Sequence, residues 1–119
     1  MAPTVHLIHN GKKLPLQLQV ARTFLSRSWG WLGRRRLAPN EALWIEPCSR
    51  VHSFFMGIPI AVVMLDREGQ VLSIRDPLNP WHLGPRGVFG GAALELAPGA
   101  VARFGIGPGD RLTLKASSR

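Results

Sequence analysis

Cys48 and His52 are the residues whose chemistry and spacing most invite a catalytic reading. They lie in the stretch WIEPCSRVHSFFMGIPIAVVMLD, residues 44–66, which holds the chain's one cysteine. A thiol and an imidazole four residues apart meet on a helical turn, with Cβ atoms about 5–6 Å apart. In an extended chain the same pair is about 13 Å apart. Pro47 suits the first position of a helix, which would set Cys48 at a helix N-terminus with Arg50 and His52 beside it. Such surroundings lower a thiol's pKa and sharpen it as a nucleophile. A thiol enzyme or Cys/His-dependent hydrolase also needs a group to orient the imidazole and an oxyanion hole. The sequence identifies neither. The plainer reading makes Cys48 a small buried hydrophobe and His52 a hydrogen-bonded residue at a strand start.

Other chemistry is thinner. His6, His9, Cys48, His52 and His82 are the soft metal ligands, and no Cys-x-x-Cys, His-x-x-x-His or His-Glu-x-x-His spacing joins them. No metal and no cofactor is expected. Asp66, Glu68 and Asp110 sit among turn residues, where carboxylates are ordinary. Glu95 interrupts an apolar run and is expected to face outward from a strand; a buried acid paired with an arginine is the alternative. The glycine-rich GIGPGD at 105–110 lacks the Lys-Ser/Thr of a P-loop and the third glycine of a dinucleotide fingerprint, so it reads as a turn.

The formal net charge is +8, and residues 1–50 carry eight Lys/Arg against two Glu. Arg34, Arg35 and Arg36 are consecutive. A patch of this kind attracts nucleic acid or anionic lipid. No interleaved exposed aromatics and no nucleic-acid motif accompany it, so it reads first as a solubilising face, with nucleic-acid binding through the basic N-terminal half as the alternative. Trp81 lies between Pro80 and His82 in a Pro/Gly-rich stretch. Exposed, it would contact a partner; the expectation is a lid packed over the mouth of a barrel. The candidate binding surface is therefore Arg34, Arg35, Arg36, Trp81 and His82.

These residues must be positioned by a small domain. A chain of 119 residues with 45% hydrophobic content can build one core without staples, so residues 1–119 are read as a single domain. Thirteen Gly and ten Pro favour short strands over long helices. Residues 4–20 read as a hairpin turning at Asn10-Gly11, with Pro15 confining the return strand to an edge or bulge. Residues 23–36 read as a short helix with Leu25, Trp29 and Leu32 on one stripe. Strands are expected at 43–47, 58–65, 70–76, 92–96 and 111–115, a long irregular surface loop at 77–91, one helical turn after residue 100, and a frayed tail at 116–119. In the 70–76 strand Leu72 and Ile74 are expected to face inward. The sum is a mainly β fold, a small antiparallel barrel or sandwich of six to seven short strands with one short helix; α+β is the alternative. No apolar stretch reaches the length of about 18 residues that a transmembrane helix needs. No signal peptide is visible, which points to the cytoplasm.

The blocks RSWGWLGRRRLAPNEALWIEPCSRVHSFFMGIPIAVVMLDREGQVLSI, LNPW, ALEL and GIGPGDRL, across residues 20–114, resemble the bacterial and archaeal family known as domain of unknown function 192. Pro47-Cys48, Val51-His52 and Phe54-Phe55-Met56 place the likeness in one subgroup. The resemblance implies a compact, mainly β fold and no established activity, cofactor or substrate. It also implies, through the genes that neighbour short relatives, an accessory role in pilus assembly or secretion, with a protein partner in an envelope system. Ala61 stands where the family usually has an aspartate, and Leu96-Ala97-Pro98-Gly99 reverses its usual Pro-Ala order. The function expected is a non-enzymatic binding or accessory protein.

Overall fold

The structure is a computed structural model and describes residues 5–21, 37–53 and 57–116. The expected helix at 23–36, with Arg34, Arg35, Arg36, Trp29 and Trp31, lies outside the described residues, as do residues 54–56 and 117–119. Strand β1 (Val5–His9) turns at Asn10-Gly11 into β2 (Lys12–Lys13). Asn10 and Gly11 have φ of 49° and 87°, the left-handed pair that a type I′ hairpin turn needs. The return strand is shorter than expected. Leu14 still donates its N–H to Leu7 O at 2.9 Å, but Pro15 has no N–H to give and the ladder ends. The chain then resumes as β3 (Gln17–Ala21), which leaves the hairpin and pairs in parallel with β4 (Glu41–Ile45).

Ten strands are present among the described residues, more than the six or seven expected, and they form three open sheets in a sandwich-like stack. The central sheet has the order β3-β4-β9-β6-β7, with β6 at Ile60–Leu65, β7 at Val71–Leu78 and β9 at Ala92–Leu96. On one side lies the sheet β10-β1-β2, with β10 at Leu112–Ala116. On the other lies a two-stranded ribbon of β5 (Arg50–His52) and β8 (Leu83–Arg86). Ala116, expected in the tail, pairs with Val5. A single helical turn, α1 (Ala100–Arg103), follows β9 as expected.

Burial on both faces of the central sheet explains the unbroken apolar run of β6. Ala61, Val63 and Leu65 join Trp44, Leu94 and Leu96 in one core, closed by Leu7 and Leu112 from the outer sheet and by Ala100 and Val101 of α1. Ile60, Val62 and Met64 point the other way and join Leu43, Ile45 and Ala93 in a second core, closed by Val51 of the ribbon. Close approach at the strand ends selects glycine. A Cβ on Gly69, where φ is +87°, would stand 2.3 Å from Leu112 O, and one on Gly91 would stand 2.2 Å from Leu65 O.

Two bulges correct the reading of residues 70–91. Met64 opposes Ser73 while Leu65 opposes Val71, so Leu72 is the extra residue. A bulge lets its side chain leave the alternation, and Leu72 is 41% exposed although Ile74 packs on the core. A second shift, where Ile60 opposes Leu78 and Val62 opposes Arg75, absorbs Pro77, a residue that cannot donate to the ladder. The strand therefore continues to Leu78, and β8 forms inside what reads as irregular loop.

Glu95 is also corrected. It is buried, not outward-facing, because the central sheet is covered on both sides. It opposes Leu43 on β4 and Val62 on β6, and among the described residues its carboxyl has no hydrogen bond or ion pair. Burial pushes its pKa from an ordinary 4.5 to about 7, because the charged form loses water without a partner. Asp110 goes the other way. It accepts a hydrogen bond from His9 Nε2 at 2.8 Å and from Gly107 N at 2.8 Å, which hold its pKa below the usual 3.8.

Leu94 and the bulged Leu72 separate in a urea titration. Leu94→Ala, in the doubly covered strand, costs about 2–5 kcal/mol; Leu72→Ala stays within about 0.5 kcal/mol, and a Leu72 loss as large as that of Leu94 contradicts the bulge. Between the two Glu95 pKa values the folded chain holds a proton that the unfolded chain has released. Stability therefore falls as pH rises from 4.5 to about 7, on the order of 3 kcal/mol. Glu95→Gln flattens that slope and stabilises the protein at neutral pH. Asp110 contributes with the opposite sign, its stabilisation present above the usual aspartate pKa and lost as pH drops below it. Chemical unfolding of wild type and Glu95→Gln from about pH 2 to pH 8 checks these signs.

Candidate binding surface

Val51 buries its side chain in the second core, and its strand neighbours Arg50 and His52 therefore face outward. Opposite them runs β8, where Arg50 pairs with Arg86 and His52 with Leu83. Two steps along β5 match three steps along β8, so this ladder too holds a bulge. In a regular strand residues three apart face opposite sides. The bulge instead lets Leu83 and Arg86 both emerge on the side of Arg50 and His52, while Gly84 is buried. Arg50 Nε donates to Gly84 O at 3.1 Å, laying the side chain across the ribbon.

Ser53, fully buried, anchors the turn that feeds β8. Its hydroxyl donates to Asn79 O, with His82 O 3.2 Å away, and accepts His82 N–H at 2.9 Å. Its backbone N–H donates to His82 O at 2.9 Å, and its carbonyl accepts Trp81 N–H at 2.9 Å. His82 Nδ1 lies 2.8 Å from Pro80 O. Within this frame Trp81 adopts φ of 66°, a conformation that costs a bulky residue roughly 1–3 kcal/mol. The indole is not a packed lid, contrary to expectation: Trp81 is 59% exposed and Leu83, two residues on, is 53% exposed. Val88 and Phe89 extend the apolar exposure beyond β8, Phe89 at 85% with the Arg67 guanidinium 5.6 Å from its ring centroid.

The sequence marks Trp81 and His82, and the structure brings them together with Leu83, His52, Arg50 and Arg86. It missed Ser53, because a serine between an exposed histidine and an apolar block carries no local signal of a buried hub. The helical turn that would join Cys48 to His52 does not form; residues 50–52 are extended strand. Cys48 is half-buried against the second core, its N–H donates to Gly91 O at 2.9 Å, and its Sγ donates to Arg50 O at 3.2 Å.

A cleft of about 410 Å³ opens elsewhere, between the 66–69 turn, Gly90-Gly91 and the start of β10. Several of its polar groups serve its own walls. Asp66 Oδ1 accepts the N–H groups of Glu68 and Gln70 at 2.9 and 2.8 Å, Arg67 Nε donates to Phe89 O at 3.2 Å, and Glu46 Oε1 accepts Trp44 Nε1–H at 2.9 Å. Among the described residues no three His, Cys, Asp or Glu side chains gather as a metal site, and no helix is long and apolar enough to cross a membrane.

The fold is shared with solved structures. A protein of unknown function from Novosphingobium aromaticivorans superposes with a TM-score of 0.77 at 22% identity, over 93% of this chain and 83% of the other. A protein from Sinorhizobium meliloti described as a candidate transcription regulator gives a TM-score of 0.75 at 22% identity, over 98% of this chain and 94% of the other. Among curated proteins none matches. The model of the DUF192 family, Uncharacterized ACR, matches residues 5–114, a span that begins at β1, ahead of the residue-20 start read from the motifs. With nearly its whole length covered, the chain belongs to the DUF192 family.

Proposed function

We propose that this protein is a non-enzymatic binding or accessory module whose contact with a protein partner centres on Trp81 and Leu83. The observation that carries the reading is Trp81 itself. A tryptophan in left-handed backbone, 59% exposed, is held there by a buried serine that serves the same turn with both its backbone and its hydroxyl. Strain of roughly 1–3 kcal/mol persists only where surrounding structure enforces it, and such sites cluster at active sites, ligand clamps and switch regions. A large, rigid, half-apolar side chain at low entropic cost is what anchors protein interfaces. The surroundings of Cys48 support a packing role for the thiol: its S–H is directed at a main-chain carbonyl and its body lies on the second core.

The test is co-purification under mild salt from cells making the full chain, with wild type and a Trp81→Ala, Leu83→Ser variant in parallel. The variant unfolds at the wild-type midpoint within about 1 kcal/mol, because surface substitutions cost little, and loses the partner that wild type retains. A wild type that brings down no partner, or a variant that retains it in full, defeats the reading.

A further inference from the structure

We infer that the partner presents an acidic, extended segment, its carboxylate seated between Arg50 and Arg86 and an apolar side chain against Leu83 and Trp81. The inference rests on the reading of this surface as a docking site and names the chemistry of what docks. Arg50 and Arg86 are direct cross-strand partners. Like charges so placed repel, a cost that an anion seated between them removes. Neither guanidinium meets a carboxylate among the described residues. Residues 48–53 and 79–89, which build the surface, contain no Asp or Glu at all. The nearest acid on the adjoining strand, Asp76, is committed to the Gly99 N–H at 3.0 and 3.1 Å. The surface is thus cationic and apolar together.

Geometry sets the spacing. From Leu83 to Arg86 is three residues of strand, about 10 Å. An extended peptide therefore reaches both ends when its acid and its apolar anchor lie on one face, two or four residues apart. Arginine suits the acid end because its planar fork accepts a carboxylate in two parallel hydrogen bonds. Two arginines are few for a phosphate-dominated partner. Each cation contributes only about 1 kcal/mol at an anionic membrane, and nucleic-acid affinity scales with the number of phosphates neutralised. A short acidic peptide, read by two guanidiniums and an indole, fits the inventory better.

Fluorescence anisotropy tests this with dye-labelled peptides that carry leucine and glutamate on one face, two or four residues apart with serine between them, and with counterparts carrying glutamine for glutamate. Wild type binds the glutamate peptides about tenfold tighter or more, the worth of a charge-assisted hydrogen bond. The double variant Arg50→Gln, Arg86→Gln erases that preference. Arg50→Lys, Arg86→Lys, which keeps the charge, restores part of it, while Trp81→Ala weakens both peptide types. Equal binding of glutamine and glutamate peptides overturns the acidic chemistry and leaves docking at Trp81 standing. Indifference to both Trp81→Ala and Leu83→Ser removes the docking surface itself. The inference also falls if no peptide binds, or if the only binding is to phosphatidylcholine vesicles with about 30 mol% phosphatidylglycerol or to a single-stranded oligonucleotide.

Discussion

Everything in this fold depends on two strands, β6 and β9, being covered on both faces. Each alternate residue feeds a different core, so neither strand can slip its register by one without exchanging the contents of the two cores. That constraint places the outer sheet on one side and the β5-β8 ribbon on the other. It also imposes a cost. Any polar residue in these strands is buried whichever way it points, and Glu95 bears that cost as a carboxyl kept from water without a partner among the described residues.

The ribbon is the thinner of the two coverings. Only Val51 and Gly84 of its two strands are buried, so its outward side chains add little to either core. A bulge turns Leu83 and Arg86 to the same side, and Ser53 fixes the turn that precedes them. The rigid central sheet supports a small, ordered platform, and the platform carries the Trp81 side chain, 59% exposed. The mixture of repelling arginines and exposed apolar groups costs the isolated chain stability. That is the sense in which the surface points to a partner.

The elements that local chemistry dictates were legible in the sequence. Asn10-Gly11 fixes a hairpin turn, the 66–69 turn closes on Gly69, and the continuous apolar run of β6 announces burial on two faces. What escaped were features set by tertiary context. Leu72 reads as inward by alternation, and a bulge one residue away cancels the rule. Residues 77–91 read as loop because Pro and Gly count against strands, yet a two-stranded ribbon tolerates Pro85 where a central strand would not. Glu95 reads as outward because the period of two assumes one wet face, and nothing within β9 says that a second layer lies over it. Trp81 was found by its type, but its exposure is decided by Ser53, twenty-eight residues away in sequence.

The central claim is that Ser53 holds the Trp81 turn in a fixed, displayed conformation. Native-state hydrogen exchange at the His82 amide tests it most directly, comparing wild type with Ser53→Ala, because that amide donates to the Ser53 hydroxyl. The account predicts strong protection in wild type, lost in the variant while the amides of β6 and β9 remain protected. A His82 amide that exchanges freely in wild type, or stays equally protected without the hydroxyl, would contradict it.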